Sequence, residues 1–236
     1  MALILILGDI HLKPKHFDRA DKILASGQAD LCVQMGDLVD DWGEDNNVSL
    51  YEKTLKRAIK FNEDHPGTLW ATGNHDFAYL HPGYGPRESG YSKIAEPSVR
   101  PLLEQLPQQV LHIVDGVFFT HAGLTQEWMD RQKILVGAEG PLSDKQLLRL
   151  VNYAAPDELW QENSPIWARP QVDAYRMYSA KLQVVGHTPV KTATEENGVL
   201  STDTLSTYYM GAPIGDERLV IVDTETGDWH YAEEEV

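Results

Sequence analysis

The sequence predicts an α/β fold: a mixed β core with helices outside it. Three observations carry that reading. The first third of the chain alternates short apolar runs with helix-period patterns in the order β-α-β-α-β, which favours parallel strands joined by crossover helices. The second half is a series of short strand-like runs separated by turn sequences such as Asp115-Gly116 and Asn197-Gly198. Finally, 236 residues with 42% hydrophobic and 24% charged positions are enough for a sizeable core.

Residues 3–7 (LILIL) form a continuous apolar run and read as a buried first strand. Residues 17–26 read as a helix ended by Gly27, and 31–35 as a second strand. Over 49–64, Leu50, Leu55, Ala58, Ile59 and Phe61 fall near one helical face. Residues 69–72 make the third strand. Runs 110–114 and 117–120 flank Asp115-Gly116 as a hairpin, and 143–153 reads as a helix inside a long excursion over 125–170. Strands are expected at 182–185, 190–194, 199–202, 219–223 and 229–232, and the acidic run Glu233-Glu234-Glu235 is expected to fray. No linker or repeat divides the chain, so 1–236 reads as one domain, with 125–170 as a possible helical cap insertion.

Lys plus Arg is 20 and Asp plus Glu is 36, a formal net charge of −16. Such a chain is a poor general binder of nucleic-acid backbones and has no polybasic membrane patch. The single cysteine, Cys32, lies between Leu31 and Val33 and reads as a small core residue, so no intrachain disulfide is expected. The apolar start stops at Gly8-Asp9 with no basic stretch before it, too short to span a membrane. A cytoplasmic location is the expectation.

The chemistry sits at the ends of strands. Gly8-Asp9-Ile10-His11, Gly36-Asp37-Leu38-Val39-Asp40, Gly73-Asn74-His75-Asp76, Thr120-His121 and Gly186-His187 each follow an apolar run with Gly or Thr and then a metal-ligand residue type. Any one of them is ordinary turn chemistry. Five in this order are not. Open α/β sheets place their sites at strand C-termini, and Asp, Asn and His supply oxygen and nitrogen donors suited to Mn, Fe or Zn. Donors from several strand ends could hold two metals, with one carboxylate bridging.

These segments resemble the signature of the calcineurin-like metallophosphoesterases, over residues 8–187. Within that superfamily, Thr120-His121-Ala122-Gly123-Leu124, Trp167-Ala168-Arg169-Pro170 and Gly186-His187-Thr188-Pro189 resemble the bacterial phosphoprotein phosphatases and diadenosine tetraphosphatases. Pro189 stands where nuclease branches carry a second His, whereas Gly8-Asp9-Ile10-His11-Leu12-Lys13 has a nuclease-like flavour. The resemblance implies a four-layer αββα sandwich of two mixed sheets with a dinuclear metal site at strand ends. It implies that Asp9 and His11 bind one metal, that Asp37 bridges, and that Asn74, His121 and His187 bind the second. It further implies a metal-bridging hydroxide as nucleophile, His75 as general acid oriented by Asp40, and Arg169 as phosphate clamp. Two divalent ions are expected, manganese first, with iron or zinc as alternatives.

One position departs from the pattern. Protein phosphatases usually carry Arg after Gly-Asp-x-Val-Asp, and this chain has Asp41-Trp42. An acid there either repels a dianionic phosphate or binds a nearby lysine. Asp203 and Thr204 match a family segment loosely, and Asp76 reads as either support for the site or a helix cap. Trp42, Phe77, Tyr79, Tyr84, Tyr91, Trp128, Trp160 and Trp167 stand between the motifs. They read as a satellite hydrophobic cluster or as a surface that stacks a nucleobase or flanks a peptide.

The expected activity is dinuclear-metal hydrolysis of a phosphate ester by a serine/threonine-phosphatase-like phosphatase. The alternatives are a hydrolase of dinucleoside polyphosphates, another nucleotide phosphodiesterase, or a non-catalytic scaffold. A scaffold would be expected to lose ligands or His75, and this chain keeps them all. The partner is a phosphorylated small molecule, a nucleotide or a phosphoprotein, with no general nucleic-acid binding and no membrane association.

Overall fold

A computed structural model describes residues 2–87 and 90–234. The chain begins with β1 (Leu3–Leu7), α1 (Lys15–Ala25), β2 (Leu31–Gln34), α2 (Val48–Asp64) and β3 (Leu69–Ala71). Next come α3 (Asn74–Leu80), α4 (Glu96–Leu103), β4 (Gln108–Gln109), β5 (Leu111–Val114) and β6 (Val117–Thr120). The excursion carries α5 (Gln126–Val136), α6 (Asp144–Asn152) and α7 (Pro156–Leu159). It is followed by β7 (Leu182–Val185), β8 (Thr194–Glu196), β9 (Val199–Ser201), β10 (Val220–Asp223) and β11 (Trp229–Tyr231).

The strands form two sheets. The first runs β11-β10-β1-β2-β3-β4 and the second β5-β6-β7-β9-β8. Both are mixed. β1 pairs parallel with β2, Ile6 opposite Val33, and antiparallel with β10, Ile6 opposite Val220. β7 pairs parallel with both β6 and β9, while β5 and β8 are antiparallel edges.

Strand alternation sorts the apolar residues into layers. Ile4 and Ile6 of β1, with Val33, Phe119, Val184, Leu200 and Val222, form the core between the two sheets. Leu5 and Leu7 point the other way, onto Phe17 and Ile23 of α1 and Leu55 and Phe61 of α2. On the outer face of the second sheet, Leu111 and Phe118 meet Trp128 and Met129 of α5, Leu147 and Val151 of α6, and Phe77 of α3. The result is two mixed sheets flanked by helices on both outer sides. β1 is an unbroken apolar run because both of its faces are covered. Truncating the fully buried Phe119 to Ala would cost about 3–5 kcal/mol.

Two details correct the sequence reading. The strand expected at 190–194 begins only at Thr194, because Val190 and the residues after it are held by loop bonds such as Val190 N–H to Asp203 O at 2.9 Å. The acidic run is held where it is described. Arg19 Nε donates to Glu234 at 2.7 Å, and Glu233 N–H donates to Gln28 at 2.8 Å, while Glu235 lies outside the described residues. Cys32 is buried in the core, as expected. Among the described residues, no helix is long and apolar enough to cross a membrane.

Candidate metal centre and active site

The loops after β1, β2, β3, β6 and β7 converge at one end of the sheets. Backbone bonds lock the first two together: the N–H groups of Ile10 and His11 both donate to Asp37 O at 2.9 Å. Among the described residues, eight non-glycines have positive φ, and His11, Leu12, Asp37, Asp40 and His187 are five of them. This backbone region is unfavourable for L residues and clusters where function demands an unusual side-chain direction. Gly36 has φ +98°, and a Cβ there would stand 2.6 Å from Gly73 N and 2.8 Å from His121 Nδ1. Only glycine lets these three loops meet so closely.

Four donor atoms gather around one point. His121 Nδ1 donates its proton to Met35 O at 2.7 Å, which turns Nε2 toward the other donors. That Nε2 lies 3.0 Å from Asn74 Oδ1, 3.1 Å from His187 Nδ1 and 3.3 Å from Asp37 Oδ2. Close by, His11 donates Nδ1–H to Asp40 O at 2.8 Å, which turns its Nε2 toward Asp9 Oδ2 at 4.0 Å and Asp37 Oδ2 at 3.9 Å. Donors this close leave lone pairs facing one another, the arrangement that a divalent cation satisfies.

The electrostatics agree. Burial, then Asp203 and Asp37, push the Asp9 carboxyl well above its ordinary range. Burial likewise opposes charge on Asp37, but the imidazoles of His121, His75 and His11 outweigh it and hold Asp37 ionised. Burial, His121 and Arg169 keep His187 neutral, the form that ligates metal, and its Nε2 has no hydrogen-bond partner among the described residues. Buried carboxylates without matching positive charge are costly, and a cation relieves that cost. The residues therefore fit a metal centre, in two overlapping groups: His11, Asp37 and His75, and Asp37, His121 and His187. The first grouping has His75 with His11 and Asp37, where the sequence reading placed Asp9 and made His75 an acid and not a ligand.

His75 has a second engagement. Its Nδ1 lies 2.9 Å from Asp40 Oδ2, and Asp40 is 1% exposed. A cavity of about 230 Å³ is lined by His11, Asp37, Asn74, His75, His187 and Arg169, with Arg87 and Trp167 at its walls.

The model of the calcineurin-like phosphoesterases matches residues 2–191 of the chain. The chain belongs to this family. A calcineurin-like phosphoesterase is a hydrolase of phosphate esters, and this one carries His/Asp groups that fit the family's dinuclear metal site. A solved structure of a hypothetical protein from Pyrococcus horikoshii shares the fold at 12% identity, with a TM-score of 0.50 over 99% of this chain and 88% of that one. A metallophosphoesterase from Sphaerobacter thermophilus aligns at 15% identity and TM-score 0.45 over 99% and 89%. A Thermus thermophilus protein aligns at 10% and 0.43 over 98% of each chain. No functionally curated protein matches the chain.

In this phosphoesterase, the structure resolves the roles the sequence left open for three acids. Asp41 binds Lys13: its Oδ2 accepts from Nζ at 2.7 Å, and the same Nζ donates to His11 O at 3.1 Å. Asp76 is both cap and brace. It sits at the third position of α3, accepts Leu38 N–H at 3.0 Å, and accepts from Gln108 at 3.3 Å. Burial and the nearby Asp37 raise its carboxyl to about 7. Asp203 is buried and accepts both N–H and Oγ–H of Ser206.

Three residues at the site escape the motif reading. Tyr51 and Tyr79 both donate to Asp40 Oδ1, at 2.8 and 2.6 Å. Tyr51 looked like an ordinary helix residue, and only the fold brings α2 and α3 to one carboxylate. Arg87 follows α3 in a short turn, its guanidinium 5.3 Å from the Tyr84 ring. Nothing local distinguishes it from a surface arginine. The excursion contributes α5–α7 to the outer layer and, at its far end, Trp167 and Arg169 to the cavity; Arg169 Nη1 donates to Thr188 Oγ1 at 3.3 Å.

Proposed function

We propose that the protein is a dinuclear-metal phosphatase of the serine/threonine-phosphatase-like type. In this reading Asp9, His11 and Asp37 hold one divalent cation, and Asp37, Asn74, His121 and His187 hold the second. Manganese is the first candidate, since mixed carboxylate, amide and imidazole donors suit it; the same set also accepts iron or zinc. The observation that carries the reading is that His75, paired with Asp40, opens onto the same cavity as members of both donor groups and two arginines.

Bound cations supply charge neutralisation at the phosphoryl oxygens and acidify the attacking water. The chain's own groups do the rest. Asp40 accepts the Nδ1–H of His75, which orients the ring, stabilises its imidazolium and leaves Nε2 to give a proton to the leaving oxygen. The two tyrosine hydroxyls fix the Asp40 carboxylate. Arg169 and Arg87 pair with phosphoryl oxygens by their guanidinium forks.

The test is metal content together with hydrolysis of p-nitrophenyl phosphate by Mn²⁺-loaded protein. Asp37→Asn is expected to empty both positions and Asp9→Asn mainly one, with activity lost in both. Full occupancy in both variants, or no hydrolysis by fully loaded wild type, rejects the reading.

A further inference from the structure

A second cavity, of about 430 Å³, adjoins the phosphoryl cavity and shares His11, His75, Pro189 and Ser206 with it. Its other walls are Asp40, Asp41, Trp42, Asp45, Tyr91 and Thr207, with two glycines and Ile214 completing it. The shared wall contains His75. A proton donated by His75 goes to the oxygen that departs, so the group attached to that oxygen lies on the side of the site this second cavity occupies.

Its chemistry differs from that of the first cavity. Among the described residues no Lys or Arg lines it, and Lys13, which bonds the lining residue Asp41, is neutralised by that contact. Asp41 is neutralised by Lys13, which leaves Asp45 as the charge that would repel a leaving group carrying further phosphates. What the cavity offers instead is aromatic surface and short polar groups. Trp42 is 62% exposed, yet it is not loose. Its Nε1–H donates to Thr207 O at 3.1 Å, its backbone N–H donates to Asp41 Oδ1 at 2.9 Å, and the Tyr209 ring meets it at 6.2 Å, edge to face. An indole tethered through its Nε1–H, more than half exposed and lining the cleft, is a preorganised stacking platform. The hydroxyls of Ser206 and Thr207 and the Asp45 carboxylate supply hydrogen-bond partners for ring amines and sugar hydroxyls. The volume falls in the ordinary range for a small-molecule site.

We propose that this cavity binds the leaving group and that the leaving group is a nucleoside: an uncharged alcohol carrying a flat heterocycle that stacks on Trp42. The substrate class is then a nucleoside monophosphate, rather than a dinucleoside polyphosphate whose departing group is itself an anion. This rests on the phosphatase reading above and specifies which ester that site takes.

The experiment compares AMP with ribose 5-phosphate. These have the same primary alkoxide leaving atom and differ by the base, so the ratio of their kcat/KM values isolates what the base contributes. With Mn²⁺-loaded protein the ratio is expected to be on the order of tenfold or more, to fall to near one in Trp42→Ala, and to persist in Trp42→Phe, which keeps a ring. The ratio is taken within each variant, so a general loss of activity cancels. Calorimetric titration with adenosine and with ribose provides a readout independent of turnover: adenosine binds, ribose does not, and Trp42→Ala loses the adenosine signal. A wild-type ratio near one, a ratio unchanged in Trp42→Ala, or faster hydrolysis of diadenosine tetraphosphate or a phosphotyrosine peptide than of AMP overturns the proposal. If p-nitrophenyl phosphate is cleaved and AMP is not, this proposal fails while the phosphatase reading stands. If nothing is cleaved, the phosphatase reading fails, and the adenosine titration still decides the cavity.

Discussion

His75 Nδ1 stands 2.9 Å from Asp40 Oδ2, and the other oxygen of that carboxylate accepts two tyrosine hydroxyls. The hydrogen bonds at both carboxylate oxygens therefore serve to fix one imidazole. His75→Asn is expected to lower kcat by on the order of 10²–10⁴ for an alkyl phosphate and by much less for p-nitrophenyl phosphate, whose leaving group needs no proton. Metal content should be unchanged, which separates an acid from a ligand. Tyr79→Phe should show the same leaving-group trend at several-fold size, because Tyr51 still holds Asp40. Equal losses across a series of substituted phenyl phosphates would remove the acid role.

Arg87 and Arg169 reach one cavity from different segments, α3's following turn and the end of the excursion. A charge-assisted hydrogen bond is worth about 1.5–3 kcal/mol, so Arg87→Ala should weaken competitive inhibition by inorganic phosphate about tenfold or more. Arg87→Lys should recover part of it. Arg149→Ala, in the outer helix α6, serves as a control with no change. Inhibition unaltered by Arg87→Ala would place that guanidinium outside the phosphate's reach.

The strand-end motifs were legible because each packs its chemistry into four or five consecutive residues, so the convergence of Asp9, Asp37, Asn74, His121 and His187 could be expected before any contact was known. Core strands were legible for the same local reason: β1, β6 and β7 match their apolar runs to the residue. What escaped was set by tertiary contact. Tyr51, Tyr79 and Arg87 acquire a role only through what the fold places opposite them. The short α3 escaped because its cap, Asp76, lies among motif residues that could equally make a loop. The strand expected at 190–194 failed because loop bonds to Asp203 and Asp216 claim that backbone instead.

His16 gives a pH dependence that does not involve the site. It is fully buried, its Nδ1 accepts from Arg19 at 3.0 Å, and its Nε2 has no partner among the described residues. Burial, helped by Arg19 and two lysines, lowers its pKa from 6.5 to about 3. Between those values the unfolded chain binds a proton that the folded chain refuses. Stability is therefore full above about pH 6.5 and declines as pH falls, by up to about 1.4 kcal/mol per pH unit from this residue. His16→Leu should flatten the dependence of unfolding free energy on pH by about that slope between about pH 6 and 4. Identical slopes in denaturant titrations of the two proteins would mean that His16 protonates without unfolding.

Asp41 occupies the position where an arginine was expected, and its ion pair with Lys13 decides how that exchange acts. The two side chains are 19% and 15% exposed, and their 2.7 Å contact cancels most of the field either would exert on the phosphoryl cavity. The pair is thus nearly silent toward substrate, and each single variant exposes the other charge. Asp41→Ala leaves Lys13 unneutralised beside His11, and a dianion roughly 8 Å away would gain about 1–2 kcal/mol at an effective dielectric of about 40–80. KM for a monoester should fall several-fold. Lys13→Ala exposes the carboxylate and should raise KM by a similar factor, and the double variant should return close to wild type. A monoanionic diester should feel about half of each change on the energy scale. Added salt should shrink the single-variant effects, since both groups keep some contact with water. Steady-state kinetics of the four proteins on a matched monoester and diester provide the check: if Asp41→Ala and Lys13→Ala move KM in the same direction, the pair acts through the shape of the His11 loop rather than through its charge.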